Sequence, residues 1–335
     1  MQNQEQTQER SPVTRSAASG RGWREWIKHH HTLPLLISMI VYIVVVALVE
    51  PKFVSAYNLK IVLLQVSVTG IVTLGMTMVI ISGGIDLSVG FLISFVCCVM
   101  AKMLQGGASE WLTVLAGMAM CVGLQSGVGY IISRTRVEPF IITLGTYSIF
   151  KGAALLTTGG FEIPLVDQFE SVGRSTAWGI PAPVYLFVGL CIILSLVFRY
   201  TVFGRQLFAV GENSEAAFLA GINVKNFKLK VYAINGLFLG IAAIVLLSRV
   251  GSGNPNIGMG LELDSIAAAV VGGAALSGGK GTVFGAFIGV VFLGIISNSM
   301  NLVGVESYWQ HVTLGVIISL AVIVSSLKKS NRGSH

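Results

Sequence analysis

The sequence predicts an all-α, polytopic membrane protein with about ten transmembrane helices. Composition is the first reason. Of 335 residues, 53% are hydrophobic and only 11% charged, and mean hydropathy is +0.79. A soluble domain carries roughly 25% charged residues. The length of the apolar stretches is the second reason. Runs of roughly 15–23 residues recur, near the length a helix needs to cross the hydrocarbon core. Pattern is the third. The runs are continuous rather than alternating, which excludes a transmembrane β-barrel.

The spans fall at about 33–49, 59–81, 87–103, 111–132, 140–157, 182–198, 229–247, 263–277, 283–303 and 309–327. Ahead of them, residues 1–30 read as a polar cytoplasmic tail rather than a cleavable signal, with Arg10, Arg15, Arg21, Arg24 and Lys28. Trp23 and Trp26 suit the membrane interface, and His29, His30 and His31 read as a basic collar rather than a metal site. Residues 31–328 make the membrane domain, and 329–335 a C-terminal tail. With the N-terminus inside, Arg134, Arg136, Arg199, Arg205, Lys225, Lys228, Lys280, Lys328 and Lys329 all fall on the cytoplasmic side. The outer connections hold Lys52, Arg174 and little else. This asymmetry obeys the positive-inside rule, so both termini are expected in the cytoplasm. The net charge of +7 is then read as basic loops beside anionic lipid, not as a nucleic-acid surface. Cys97, Cys98, Cys121 and Cys191 all lie in apolar runs and read as packing residues.

Two glycine-rich breaks echo each other, "GGIDLS" at 83–88 and "GGAALS" at 272–277. Such echoes accompany pseudo-symmetric halves in transporters. In the first break, Asp86 or Ser88 is placed to cap the following helix, or to line a polar pathway where a helix is broken. Lys151 lies about two turns from the outer end of its span. It either snorkels to the interface or faces a pathway. Thr143, Thr146, Tyr147, Asn235, Asn298 and Asn301 are further polar groups inside spans. Each suits either a solute-lined cavity or an interhelical hydrogen bond. Gly285 and Gly289 form a GxxxG, read as helix packing.

"LSGGKGT" at 276–282 invites a phosphate-loop reading and fails it. Ala274 stands where the first glycine is required, and Gly281 follows Lys280 where Ser or Thr is required. No nucleophile–base set or HExxH suggests an enzyme. The chain itself is therefore expected to bind no cofactor.

"GENSEAAFLAGI" at 211–222 is a polar interruption between two apolar runs. Asn213 or Ser214 is a good N-cap, Glu215 falls in the first turn, and Gly221 suits a left-handed C-cap. The result is a helix of two turns, roughly 10 Å long. So short a helix is unstable in water and needs a surface to hold it. Either it lies on the protein's own cytoplasmic face or it docks in another subunit.

"EAAFLAG" (215–221) has the EAAxxxG pattern of ATP-binding-cassette importer permeases, and "GRQLFAVGENSEAAFLAGINV" (204–224) resembles its longer form in ribose-type monosaccharide permeases. "SGGIDLSVG" (82–90), "VEPFIITLGTYSIFKG" (137–152) and "RVGSGNPNIGMGLELDSIAAAVVGGAALSGGKGTVFGAFIG" (249–289) are also similar to that family. The resemblance runs from about Phe53 to Lys328, with Lys151 where arginine is common. It implies two permease subunits, identical in the simplest case, with two cytoplasmic ATPases that carry ATP and magnesium. It also implies a periplasmic sugar-binding protein and a place in the bacterial inner membrane. The matching coupling positions are Gly204, Arg205, Gly211, Asn213, Glu215, Ala216, Ala217 and Gly221. Asp86, Ser88, Thr146, Lys151, Asn235 and Asn298 become candidates for the pathway or gate. Lys52, Arg174, Arg249, Glu262 and Asp264 become candidates for docking the binding protein. Pentose, ribose above all, is the first substrate expectation, then hexose, with a nucleoside, polyol or autoinducer also open. The competing expectation is an ion-coupled secondary transporter, with Asp86 or Lys151 as coupling group and no ATPase.

Overall fold

The computed structural model describes residues 33–166, 168–170 and 172–330. The expected N-terminal tail, its tryptophans and its histidine collar lie outside the described residues, as do 331–335. Twelve α-helices occur among the described residues: α1 Leu33–Val49, α2 Ala56–Ile81, α3 Val89–Gln105, α4 Glu110–Arg134, α5 Pro139–Thr158, α6 Ala182–Tyr200, α7 Val202–Glu212, α8 Ser214–Leu219, α9 Val224–Val250, α10 Leu261–Val271, α11 Val283–Leu302 and α12 Ser307–Ser330. A 3-10 turn, Pro51–Val54, joins α1 to α2. Two antiparallel pairs of two-residue strands lie in the connections. Ile163–Pro164 (β1) pairs with Ser252–Gly253 (β4), and Thr176–Ala177 (β2) with Ile180–Pro181 (β3).

Six helices, α2, α4, α5, α6, α9 and α11, are long and apolar enough to cross a membrane. The chain is thus an all-α, multi-pass membrane protein. α2 and α9 form the centre: both are apolar on every side, and most of their residues are buried. α4 packs against α9, α6 against α2 and α5 against α3, and all three expose much of their apolar surface. α1 leans on α11 through Tyr42, which hydrogen-bonds Ser299 at 2.6 Å and meets Phe292 edge-on. Asn58 and Asn298 exchange two amide hydrogen bonds, each 2.9 Å, and clamp α2 to α11 inside the core. Cys97, Cys98 and Cys121 are buried among apolar side chains.

One expected span is not a full crossing. The stretch 263–277 is helical only within α10, 11 residues or about 16 Å. Gly272 and Gly273 stop it. The chain turns left-handed at Gly273 (φ +96°), and Ala274 N–H reaches back to Ala269 O at 2.9 Å. The α2 end has the same construction, with Gly83 at φ +82° and Gly84 N–H on Val79 O at 2.9 Å. The two breaks therefore do share a local motif. The equivalent glycines are Gly83 and Gly273, one residue out of step with the sequence echo. Gly285 and Gly289 lie against the carbonyls of Gly272 and Ala268, so the GxxxG is the contact between α10 and α11.

Candidate functional site

α8 is held by its caps. Asn213 Oδ1 accepts from Glu215 N–H at 3.0 Å and Ala216 N–H at 2.9 Å. Beyond its last turn, Gly221 (φ +87°) lets Ile222 N–H return to Ala217 O at 3.0 Å. Only Ala217 is buried; Glu215, Ala216, Phe218, Leu219 and Ala220 are exposed. Phe218 is 68% and Leu219 84% exposed, so the helix presents an apolar tip that the described residues leave uncovered.

α7 carries this tip on a seat made of backbone. Gly204 is pressed against the Phe198 carbonyl at the α6–α7 corner, with Arg205 exposed beside it. At the other end of α7, a Cβ on Gly211 would overlap Ile81 O and the amide of Gly279. Gly279 N–H itself bonds Ile81 O at 2.9 Å. A Cβ on Gly278 would stand 2.6 Å from Gly211 O and 3.1 Å from Gly83 Cα. The failed phosphate loop is thus a structural turn, closed by Ala275 N–H on Lys280 O at 3.0 Å, and it forms one wall of the seat. Here the end of α2, the end of α7 and the turn before α11 touch main chain to main chain. Contacts this close leave no flexible side chain between the three segments.

Five residues beyond Ile81 lies Asp86, fully buried. Its Oδ1 accepts from Ser88 N–H at 2.9 Å and Ser88 Oγ at 2.6 Å. Its Oδ2 accepts from Gln125 Nε2 on α4 at 2.7 Å and Asn235 Nδ2 on α9 at 3.1 Å. Ser88 occupies the N-cap of α3, but neither its side chain nor that of Asp86 makes a capping bond there. The carboxylate folds back on its own turn instead, because donors from α4 and α9 complete its coordination. Thr143 Oγ1 on α5 adds a bond to Ile85 O at 3.2 Å. Gln125 Oε1, Asn235 Oδ1 and Tyr232 Oη are buried with no hydrogen-bond partner among the described residues.

The pathway candidates separate. Asp86, Ser88 and Asn235 come together, with Thr143 adjoining. Thr146 bonds only carbonyls of its own helix. Asn298 is not with them; it is spent on Asn58. Asn301 accepts from Gln310 at 2.7 Å. Lys151 is exposed, its Nζ 5.4 Å from the centroid of Phe91. Sequence reasoning missed Gln125, although a lone glutamine midway along an apolar span was a readable signal. It also passed over Tyr232.

The docking candidates separate too. Arg174 pairs with Glu170 and donates from Nε to Arg249 O at 3.4 Å, which places these two arginines side by side. Lys52 is exposed, and Asp264 is half-buried on α10. Glu262 departs from its expected place. It is 6% exposed and turned inward against Gly90.

Residues 58–322 match the family described as "Branched-chain amino acid transport system / permease component". The chain belongs to this permease family. It is 36% identical to the ribose import permease protein RbsC of Bacillus subtilis, over 88% of this chain and 92% of that one. With RbsC of Escherichia coli K12 the identity is 35%, over 95% and 100%. With the L-arabinose transport system permease protein AraH of Escherichia coli K12 it is 34%, over 94% of each. No solved structure matches the chain.

Proposed function

We propose that this chain is the membrane-spanning subunit of an ATP-driven, binding-protein-dependent monosaccharide importer of the bacterial inner membrane. The names of its relatives support a sugar, with ribose or a similar pentose first. Two copies form the pathway, with both termini in the cytoplasm. ATP and magnesium belong to two separate ATPase subunits. The chain does no chemistry. It converts an ATPase motion into alternating access.

One observation carries the reading: a capped, apolar-tipped helix seated on backbone that leads directly to the Asp86 cluster. An ATPase that grips Glu215, Phe218 and Leu219 would push α7 against Ile81 and Gly279. The push arrives at the α2–α3 break, where α3, α4 and α9 are joined through one carboxylate. Arg174 and Arg249 are the better-placed contacts for the binding protein.

The test is co-purification. Glu215→Lys should weaken retention of the ATPase several-fold and leave the unfolding midpoint of the isolated chain unchanged. Full retention and normal uptake in that variant would exclude the coupling role. A second reading, ion-coupled transport by this chain alone, draws on the buried Asp86 and the unpartnered polar atoms around it. Gradient-driven uptake in vesicles without any ATPase would favour that reading instead.

A further inference from the structure

α1 leaves a gap where it runs past the end of α11. α11 stops at Leu302, and the chain turns left-handed at Gly304 (φ +79°), with Val305 N–H returned to Met300 O at 2.9 Å. α1 continues beside this turn to Val49 and then enters the 3-10 turn Pro51–Val54. Between the two lies a groove of about 210 Å³. Val45, Val46 and Val49 line one side, Met300, Val303 and Val305 the other, and Glu50 stands at its end.

The floor of the groove offers nothing to water. Ser299 Oγ donates to Ile296 O at 2.8 Å, so Tyr42 Oη donates to Ser299 Oγ at 2.6 Å, and both hydroxyl protons are spent. An apolar cavity without polar partners stays dry. Its depth is that of lipid hydrocarbon. Leu33–Val49 carries no charge, and Glu50 and Lys52 are the first charged side chains after it. Charges that follow an apolar run of this length stand at the level of the lipid headgroups. From Glu50 the groove reaches Tyr42, about 12 Å along the axis of α1 and into the hydrocarbon layer.

The mouth carries both signs of charge. The Glu50 carboxylate is half-buried and accepts one bond among the described residues, from Lys52 N–H at 3.2 Å. Glu306 directly follows Val305 and adds a second carboxylate at this level. Lys52 is exposed, and its ammonium pairs with no carboxylate among the described residues. A dry apolar groove that ends in carboxylates and an ammonium is complementary to a phospholipid whose headgroup holds both a phosphate and a primary ammonium.

We propose that the groove between α1 and α11 is a binding site for phosphatidylethanolamine. One acyl chain lies along the valines, the headgroup ammonium donates to Glu50, and the phosphate accepts from Lys52. A phosphatidylcholine headgroup has no N–H to donate. A phosphatidylglycerol headgroup brings only negative charge to a rim that already holds carboxylates. The seated chain fills the seam by which α1 is joined to the rest of the molecule, since α1 packs chiefly on α11. The site goes beyond the transport reading and requires only that the chain spans a membrane.

The experiment uses the full-length chain, purified in mild detergent and stripped of lipid. It is offered phosphatidylethanolamine, phosphatidylcholine or phosphatidylglycerol with identical acyl chains, and native mass spectrometry counts the lipids retained. Wild type should prefer phosphatidylethanolamine over either other lipid by about fivefold, the upper range for one exposed ion pair. Glu50→Gln keeps an oxygen for Lys52 N–H and should bring that preference to about one. Val303→Trp should fill the groove and release the lipid. Equal retention of the three lipids by wild type, or an unchanged preference in Glu50→Gln, would overturn the site. So would a folded Val303→Trp that retains the lipid. A Val303→Trp variant that splits a dimer and leaves the lipid count unchanged would give the groove to a second copy of the chain instead. If Val303→Trp does not fold, the preference in Glu50→Gln decides.

Discussion

Two carboxylates lie buried among the described residues, and they are treated differently. Asp86 receives four donors between 2.6 and 3.1 Å, from its own turn, from α4 and from α9. Glu262 receives one, at 3.3 Å, and one of its oxygens receives none. A saturated carboxylate ties elements together, because removing it strands every donor that pointed at it. A bare one ties fewer elements together, so the two differ in what their removal should cost.

The largest expected effect breaks the saturated member. Asp86→Ala strands the amides of Gln125 and Asn235 and should destabilise the fold by about 3 kcal/mol or more. Unfolding titrations in mixed detergent measure this, and an unchanged midpoint would show that the cluster is not a tie. Gln125→Ala, which removes one of the four donors, should cost about 2 kcal/mol in the same assay. Gly211→Val asks whether the peg and the cluster are one device. Its side chain meets the main chain of Ile81 and Gly279, an overpacking worth about 1–3 kcal/mol. Uptake should be lost while the ATPase still co-purifies; retained uptake would separate α8 from the Asp86 cluster. Asn213→Ala removes the α8 N-cap and should cost about 1 kcal/mol locally. It should show as faster amide exchange at Glu215 and Ala216. The smallest effect belongs to the bare member. Glu262→Gln should leave stability within about 0.5 kcal/mol, as for a residue that ties nothing. A loss as large as that of Asp86→Ala would erase the distinction.

Much of this arrangement was legible along the chain. Asn213 and Gly221 delimit α8 by local hydrogen bonding, so their residue types were enough to read it. The apolar runs announced the helices, because length and continuity are properties of sequence. The α10 stretch misled, since Ile266–Leu276 carries no polar side chain and only the turn geometry at Gly272 and Gly273 shortens the helix. Asp86 was correctly singled out, yet its partners lie 39 and 149 residues away. No local rule pairs such distant residues. Glu262 was placed in a loop for the opposite reason: "NIGMGLELDS" has loop chemistry, and loops normally face solvent.

The sequence by itself therefore determined where most of the long helices fall and that the chain spans a membrane. It also determined that a short capped helix interrupts the spans. These follow from interactions within a few residues. The tertiary structure alone decided that α7 rests on bare backbone at Ile81 and Gly279, that four donors converge on Asp86, and that the segment before α10 turns inward and buries Glu262 against Gly90. Those outcomes depend on which surfaces meet, and packing sets that only once every helix is in place.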